Sequence, residues 1–201
     1  MVKTTLKRIF AIVGSALAPL AAIFYFIAGI QAILDINGDI TVNIFLFIKF
    51  LLCFALASLL TFFGGKVLFS FLNNENNDEP FSQLALSFVV FEFAINFFTI
   101  CFWGGNAANW LMLVFSLSGT LTLLARVTGL KTAKYTDVIG VGIAMLTAMT
   151  AACAGSGVML AASIIVAFVC FAIMAIFALR LIKDEPHNHE ENKKSDDNEK
   201  Q

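Results

Sequence analysis

A chain of 201 residues that is 59% hydrophobic and 13% charged, with mean hydropathy +0.86, leaves no room for a water-soluble domain. Its net charge of −1, with the basic residues scattered, offers no electrostatic footprint for nucleic acid. The apolar residues fall in runs of bilayer-spanning length, so the expected fold class is all-α: a polytopic transmembrane helical bundle with six spans.

The spans are expected at about 9–34, 44–64, 83–103, 107–124, 138–154 and 158–180, within a transmembrane domain of residues 1–183. The first follows Lys3, Lys7 and Arg8. It shares a basic start and a small-residue patch, Gly14-Ser15-Ala16-Leu17-Ala18, with secretory signals, but its apolar run is too long for one, so an uncleaved helix is expected. Pro19 predicts a kink, because neighbouring helices can satisfy the carbonyl it frees. The break Asp35-Ile36-Asn37-Gly38-Asp39 has two acids and no base, which suits the translocated side.

Beyond the second span, Gly64 to Leu72 either prolongs the helix or lies along the inner interface with Lys66 among the headgroups. Asn73 to Pro80 then reads as an exposed turn. Most of the 22 Phe lie between Phe45 and Phe102, in the second and third spans, facing either lipid or a partner. Trp103 and Trp110 bracket the uncharged break at 104–109 and suit the outer headgroup level.

The fourth span leads into Arg126, Lys131 and Lys134, and the last ends in Arg180 and Lys183. With the basic N-terminus, these place both termini in the cytoplasm of a cell inner membrane. Leu117-Ser118-Gly119, Leu124-Ala125-Arg126 and Gly129-Leu130-Lys131 resemble the apolar-Gly span and basic inner loop of small inner-membrane proteins of type IVB secretion and conjugation systems. The likeness is short and of a kind any positive-inside helix produces, and six spans exceed the number that family implies, so it assigns no family.

In the fifth span Gly140, Ala144, Ala148 and Ala152 recur every fourth residue, a small-residue stripe that permits close helix packing. Gly14, Ala18 and Ala22 do the same in the first. Each stripe is an internal seam or a subunit interface, the internal seam being favoured because six helices must first find one another. Val138 to Leu179 is unbroken apolar sequence, and Ala154-Gly155-Ser156-Gly157 divides it by a tight reversal; one long kinked helix is the alternative. Residues 184–201 form a hydrophilic segment expected to be a disordered cytoplasmic tail, in which His187 and His189 read as solvated side chains in preference to metal ligands.

Ionisable groups within the spans are few. Glu92 lies about half-way through the third span, with Asn96 and Thr99 at i+4 and i+7 on one face. A charged carboxylate there costs about 2.5 kcal/mol or more, so it should face the bundle interior, carry a proton or meet a cation. Lys49 is the available cation, roughly 7 Å from the outer end of its span, with Glu92 roughly 9 Å deeper. Lys49, Glu92, Asn96 and Thr99 therefore define a candidate polar seam between the second and third helices. The structural alternative has Lys49 snorkelling to the outer headgroups while Glu92 stays neutral and hydrogen-bonded to Asn96.

Enzymatic constellations are missing. Ala154-Gly155-Ser156-Gly157 resembles the Gly-x-Ser-Gly of rhomboid-type intramembrane proteases, yet the chain's two His are in the tail, so no base is available to Ser156 in the spans. There is no His-Glu-x-x-His, no phosphate loop and no pair of intramembrane aspartates, and Cys53, Cys101, Cys153 and Cys170 stand singly. No catalysis, cofactor or metal is expected. The leading expectation is a non-catalytic subunit or scaffold of a larger membrane assembly, of secretion, conjugation or defence type, partnered by the lipid bilayer and by other membrane subunits or itself. The alternative is a small channel or transporter built on the Lys49/Glu92 seam.

Overall fold

The computed structural model describes residues 2–36, 38–72, 79–128, 135–155 and 157–184. Among them are six α-helices and no strand: α1 Val2–Leu34, α2 Ile40–Leu72, α3 Glu79–Trp103, α4 Ala107–Val127, α5 Thr136–Ala154 and α6 Gly157–Asp184. All six are long and apolar enough to cross a membrane. With no water in a bilayer core to satisfy the backbone, helices are the economical way for such sequences to close every main-chain hydrogen bond. Lys131, Lys134, Asn37, Ser156, His187 and His189 lie outside the described residues.

Neighbours in sequence are neighbours in space. Each helix packs on the next, α6 returns to α1, and α3 also touches α5 across the ring so formed. Its centre is filled by Tyr25, Leu56, Leu60, Phe88, Leu123 and Ile173, all buried.

Two sequence ambiguities resolve. Gly64 to Leu72 continues α2 as helix, giving 33 residues, about 50 Å at the standard rise and well beyond a hydrocarbon core of about 30 Å. The segment stays helical against α1: a Cβ placed on Gly64 would lie 2.9 Å from the Ala18 Cβ, so the bare glycine is what lets the two backbones approach. Likewise α5 and α6 are separate helices. Gly155 is extended (φ −83°, ψ 164°), its N–H donating to the Ala151 carbonyl, and Gly157 takes φ +55°. That left-handed conformation favours glycine and turns the chain back, so the single kinked helix is excluded.

Pro19 lies inside α1 without ending it, and Pro80 sits in the first turn of α3, where its missing N–H is of no consequence. On α5, Gly140, Ala144 and Ala148 are buried, and a Cβ on Gly140 would fall 2.8 Å from Leu123 Cδ2, so this face is an internal seam against α4. Ala152 is half-buried. A four-residue step advances about 40° beyond a full turn, so the stripe drifts, and Ala151 holds the buried face one position earlier. On α1, Gly14, Ala18 and Ala22 are also buried.

The Phe-rich region divides. Phe45, Phe81, Phe88 and Phe91 are in the core, whereas Phe47, Phe54, Phe62 and Phe69 form an outward stripe along α2 with Ile40, Ile44, Leu51 and Leu72. Lys66 lies over the Phe62 ring, 4.7 Å from its centroid. At the same end of the bundle, Arg126 Nε bonds Asp137 Oδ1 at 2.9 Å and joins the end of α4 to the start of α5.

Candidate functional site

The turn between α3 and α4 sets up the site. Gly104 and Gly105 have φ +78° and +59°, which reverses the chain in three residues. Asn106 then caps α4 by a reciprocal box: the Asn109 N–H donates to Asn106 Oδ1 at 3.0 Å, and the Asn106 N–H to Asn109 Oδ1 at 3.1 Å. The box aims the Asn109 amide inward, where Nδ2 donates to Asn96 Oδ1 at 3.1 Å. Asn96 Nδ2 in turn donates to the Glu92 carbonyl at 2.8 Å and to Glu92 Oε2 at 3.3 Å. A chain of donors thus runs from the loop into the bundle and ends on the Glu92 carboxyl. Glu92 is 3% exposed, and its Oε1 has no hydrogen-bond partner among the described residues. Such an orphan is costly in a membrane interior.

Glu92 borders a cavity of about 440 Å³ to which all six helices contribute. Gln31 comes from α1 and Asp35 from just beyond its end, Lys49 from α2, Glu92, Asn96 and Thr99 from α3, Asn109 from α4, Ala151 and Ala154 from α5, and Ser163 from α6. Its mouth lies at the end of the bundle bearing Asp35 and Gly155. Thr99 spends its hydroxyl on the Ile95 carbonyl at 2.7 Å. Tyr25, fully buried, sits beside Ser163 and Glu92, with a hydroxyl that finds no well-formed hydrogen bond.

Lys49 and Glu92 share this cavity without forming a salt bridge. Because α2 begins at Ile40, Lys49 is about 14 Å and Glu92 about 17 Å along their helices from the mouth end, a much smaller difference in depth than the span boundaries suggested. Lys49 is half-buried and, among the described residues, has neither an ion pair nor a hydrogen bond. Cys53, buried one turn further along α2, lies within electrostatic reach of both Lys49 and Glu92.

No known protein family, curated protein or solved structure matches the chain. Sequence reasoning missed Gln31, Asp35, Asn109 and Ser163 as lining residues. Asn109 carried a signal, the Asn106-x-x-Asn109 capping spacing; the others carried none, since their inward aim depends on how α1 and α6 pack.

Proposed function

We propose that the protein is a small multi-pass membrane transporter or channel in which the cavity receives a polar solute and Glu92 meets it at depth. The observation that supports this best is the cavity itself. An apolar bundle has no structural need to gather two acids, a lysine and three amides around about 440 Å³ of space, and Glu92 among them keeps one buried carboxyl oxygen without a hydrogen bond among the described residues. The charge distribution supports placement in an inner membrane with both termini cytoplasmic, so that the mouth faces outward.

Flux into proteoliposomes tests the reading. Wild-type protein should carry solute or cation current, Glu92→Gln should reduce it by about tenfold or more with folding intact, and Ala151→Leu should reduce it by occupying the cavity. Wild-type flux through both variants would remove the cavity from the route.

The second reading is a non-catalytic subunit of a larger assembly, of secretion, conjugation or defence type. The outward aromatic stripe of α2 supports it, because that stripe is longer than a hydrocarbon core and so offers apolar surface beyond the lipid tails. Its signature is a large hetero-complex after gentle extraction from the native membrane.

A further inference from the structure

We infer that the cavity is a receptor for a zwitterionic group, with a protonated amine at Glu92 and an anionic carboxylate or phosphate at Lys49. The inference rests on the solute-binding reading and names its ligand class. Three observations carry it. First, the donor chain through Asn109 and Asn96 occupies Glu92 Oε2 and fixes the carboxyl group of this cavity-lining residue, while Oε1 is buried with no hydrogen-bond partner among the described residues. An N–H donor is the complement of that oxygen.

Second, Lys49 lines the same space from another helix and, among the described residues, has neither an ion pair nor a hydrogen bond. The two ionisable groups sit at similar depth on different helices and form no salt bridge with each other. A bound cation alone would leave Lys49 uncompensated in a low-dielectric setting, and an anion alone would leave Glu92 so. A ligand carrying both charges satisfies both walls at once. Asp35, the third charged group of the lining, is exposed at the mouth and remains hydrated. Third, the volume suits a small solute, and Ala28, Ile95, Met112 and Met159 provide apolar wall for a short carbon chain between the charged ends.

The same chemistry is available from a free zwitterion and from the headgroup of phosphatidylethanolamine. Binding to the purified full chain in phosphatidylglycerol nanodiscs, measured by titration calorimetry, separates these sources. Four probes are used: phosphoethanolamine and 4-aminobutanoate as zwitterions, ethanolamine as the amine alone and inorganic phosphate as the anion alone. At least one zwitterion should bind about tenfold or more tightly than ethanolamine or phosphate, and Lys49→Met and Glu92→Gln should each abolish that preference.

Retention of phosphatidylethanolamine over phosphatidylglycerol, seen by native mass spectrometry and lost in Lys49→Met, would support the inference with the lipid as source. Ethanolamine binding as tightly as the zwitterions, unchanged by Lys49→Met, would overturn it in favour of a simple cation site. Absence of saturable binding by all four probes together with no lipid preference would also overturn it. In either case flux that depends on Glu92 would leave the transport reading standing. Should Glu92→Gln fail to fold, Lys49→Met, on a half-buried side chain with no partner to strand, decides the question.

Discussion

Asn96 donates to the Glu92 carboxyl and accepts from Asn109, so replacing it strands buried polar groups on both sides. Each group left without a partner costs about 1–3 kcal/mol, and Asn96→Leu is expected to lower the unfolding midpoint in detergent clearly. Asn96→Gln, with the same amide on a longer stem, should recover part of the loss. A variant Asn96→Leu as stable as wild type would mean that the donor chain holds nothing together. The absence of a salt bridge between Lys49 and Glu92 leads to a second expectation. Since no ion pair joins them, the stability effects of Lys49→Met and Glu92→Gln should add to within about 0.5 kcal/mol in a double-mutant cycle. A coupling of 1 kcal/mol or more, on the scale typical of interacting residues, would show a contact that the structure lacks. Glu92, Asn96 and Thr99 were legible as one face because helical spacing is a local property. The partner Asn109 was not, because the turn at Gly104 and Gly105 decides which way it points.

Two adjacent glycines in α2 give a test of helix packing. A methyl group on Gly64 would meet the Ala18 Cβ at 2.9 Å, an atom fixed to the α1 backbone, so the helices themselves must separate. On Gly65 it would meet nothing within 4 Å. Gly64→Ala should therefore destabilise by about 1–3 kcal/mol, the usual range for overpacking, whereas Gly65→Ala should be neutral or stabilise by up to about 1 kcal/mol through helix propensity. Equal effects at the two positions would show that α1 and α2 do not approach so closely. On α5, Ala148→Leu should weaken the bundle while Met149→Leu, on an exposed neighbour, should not. Small-residue spacing made the α5 face readable, and the Gly155-to-Gly157 reversal was readable from glycine chemistry. Whether Gly64 to Leu72 stayed helical was not, since a two-glycine step permits either course and only contact with α1 settles it.

At the scale of the molecule, six apolar runs separated by short breaks already specified six helices, because runs of about 20 apolar residues satisfy their backbone in a bilayer as helices, whereas barrel strands are about half as long and alternate. The ring order was less accessible: hydropathy says which residues avoid water and nothing about which helix meets which. The cavity emerges only from that order, since its polar groups come from five helices and are dispersed along the sequence. Its mouth lies at the end carrying Asp35 and Gly155, which the proposed orientation turns outward. The central claim, that this is a water-accessible cavity open to one side, is tested most directly by cysteine accessibility in intact cells. In a Cys-free background Thr99→Cys, on the cavity wall, should react with a membrane-impermeant thiosulfonate added outside, as should Gly38→Cys in the adjoining loop. An unreactive Thr99→Cys beside a reactive Gly38→Cys, or labelling of either only from the cytoplasmic side, would contradict the account.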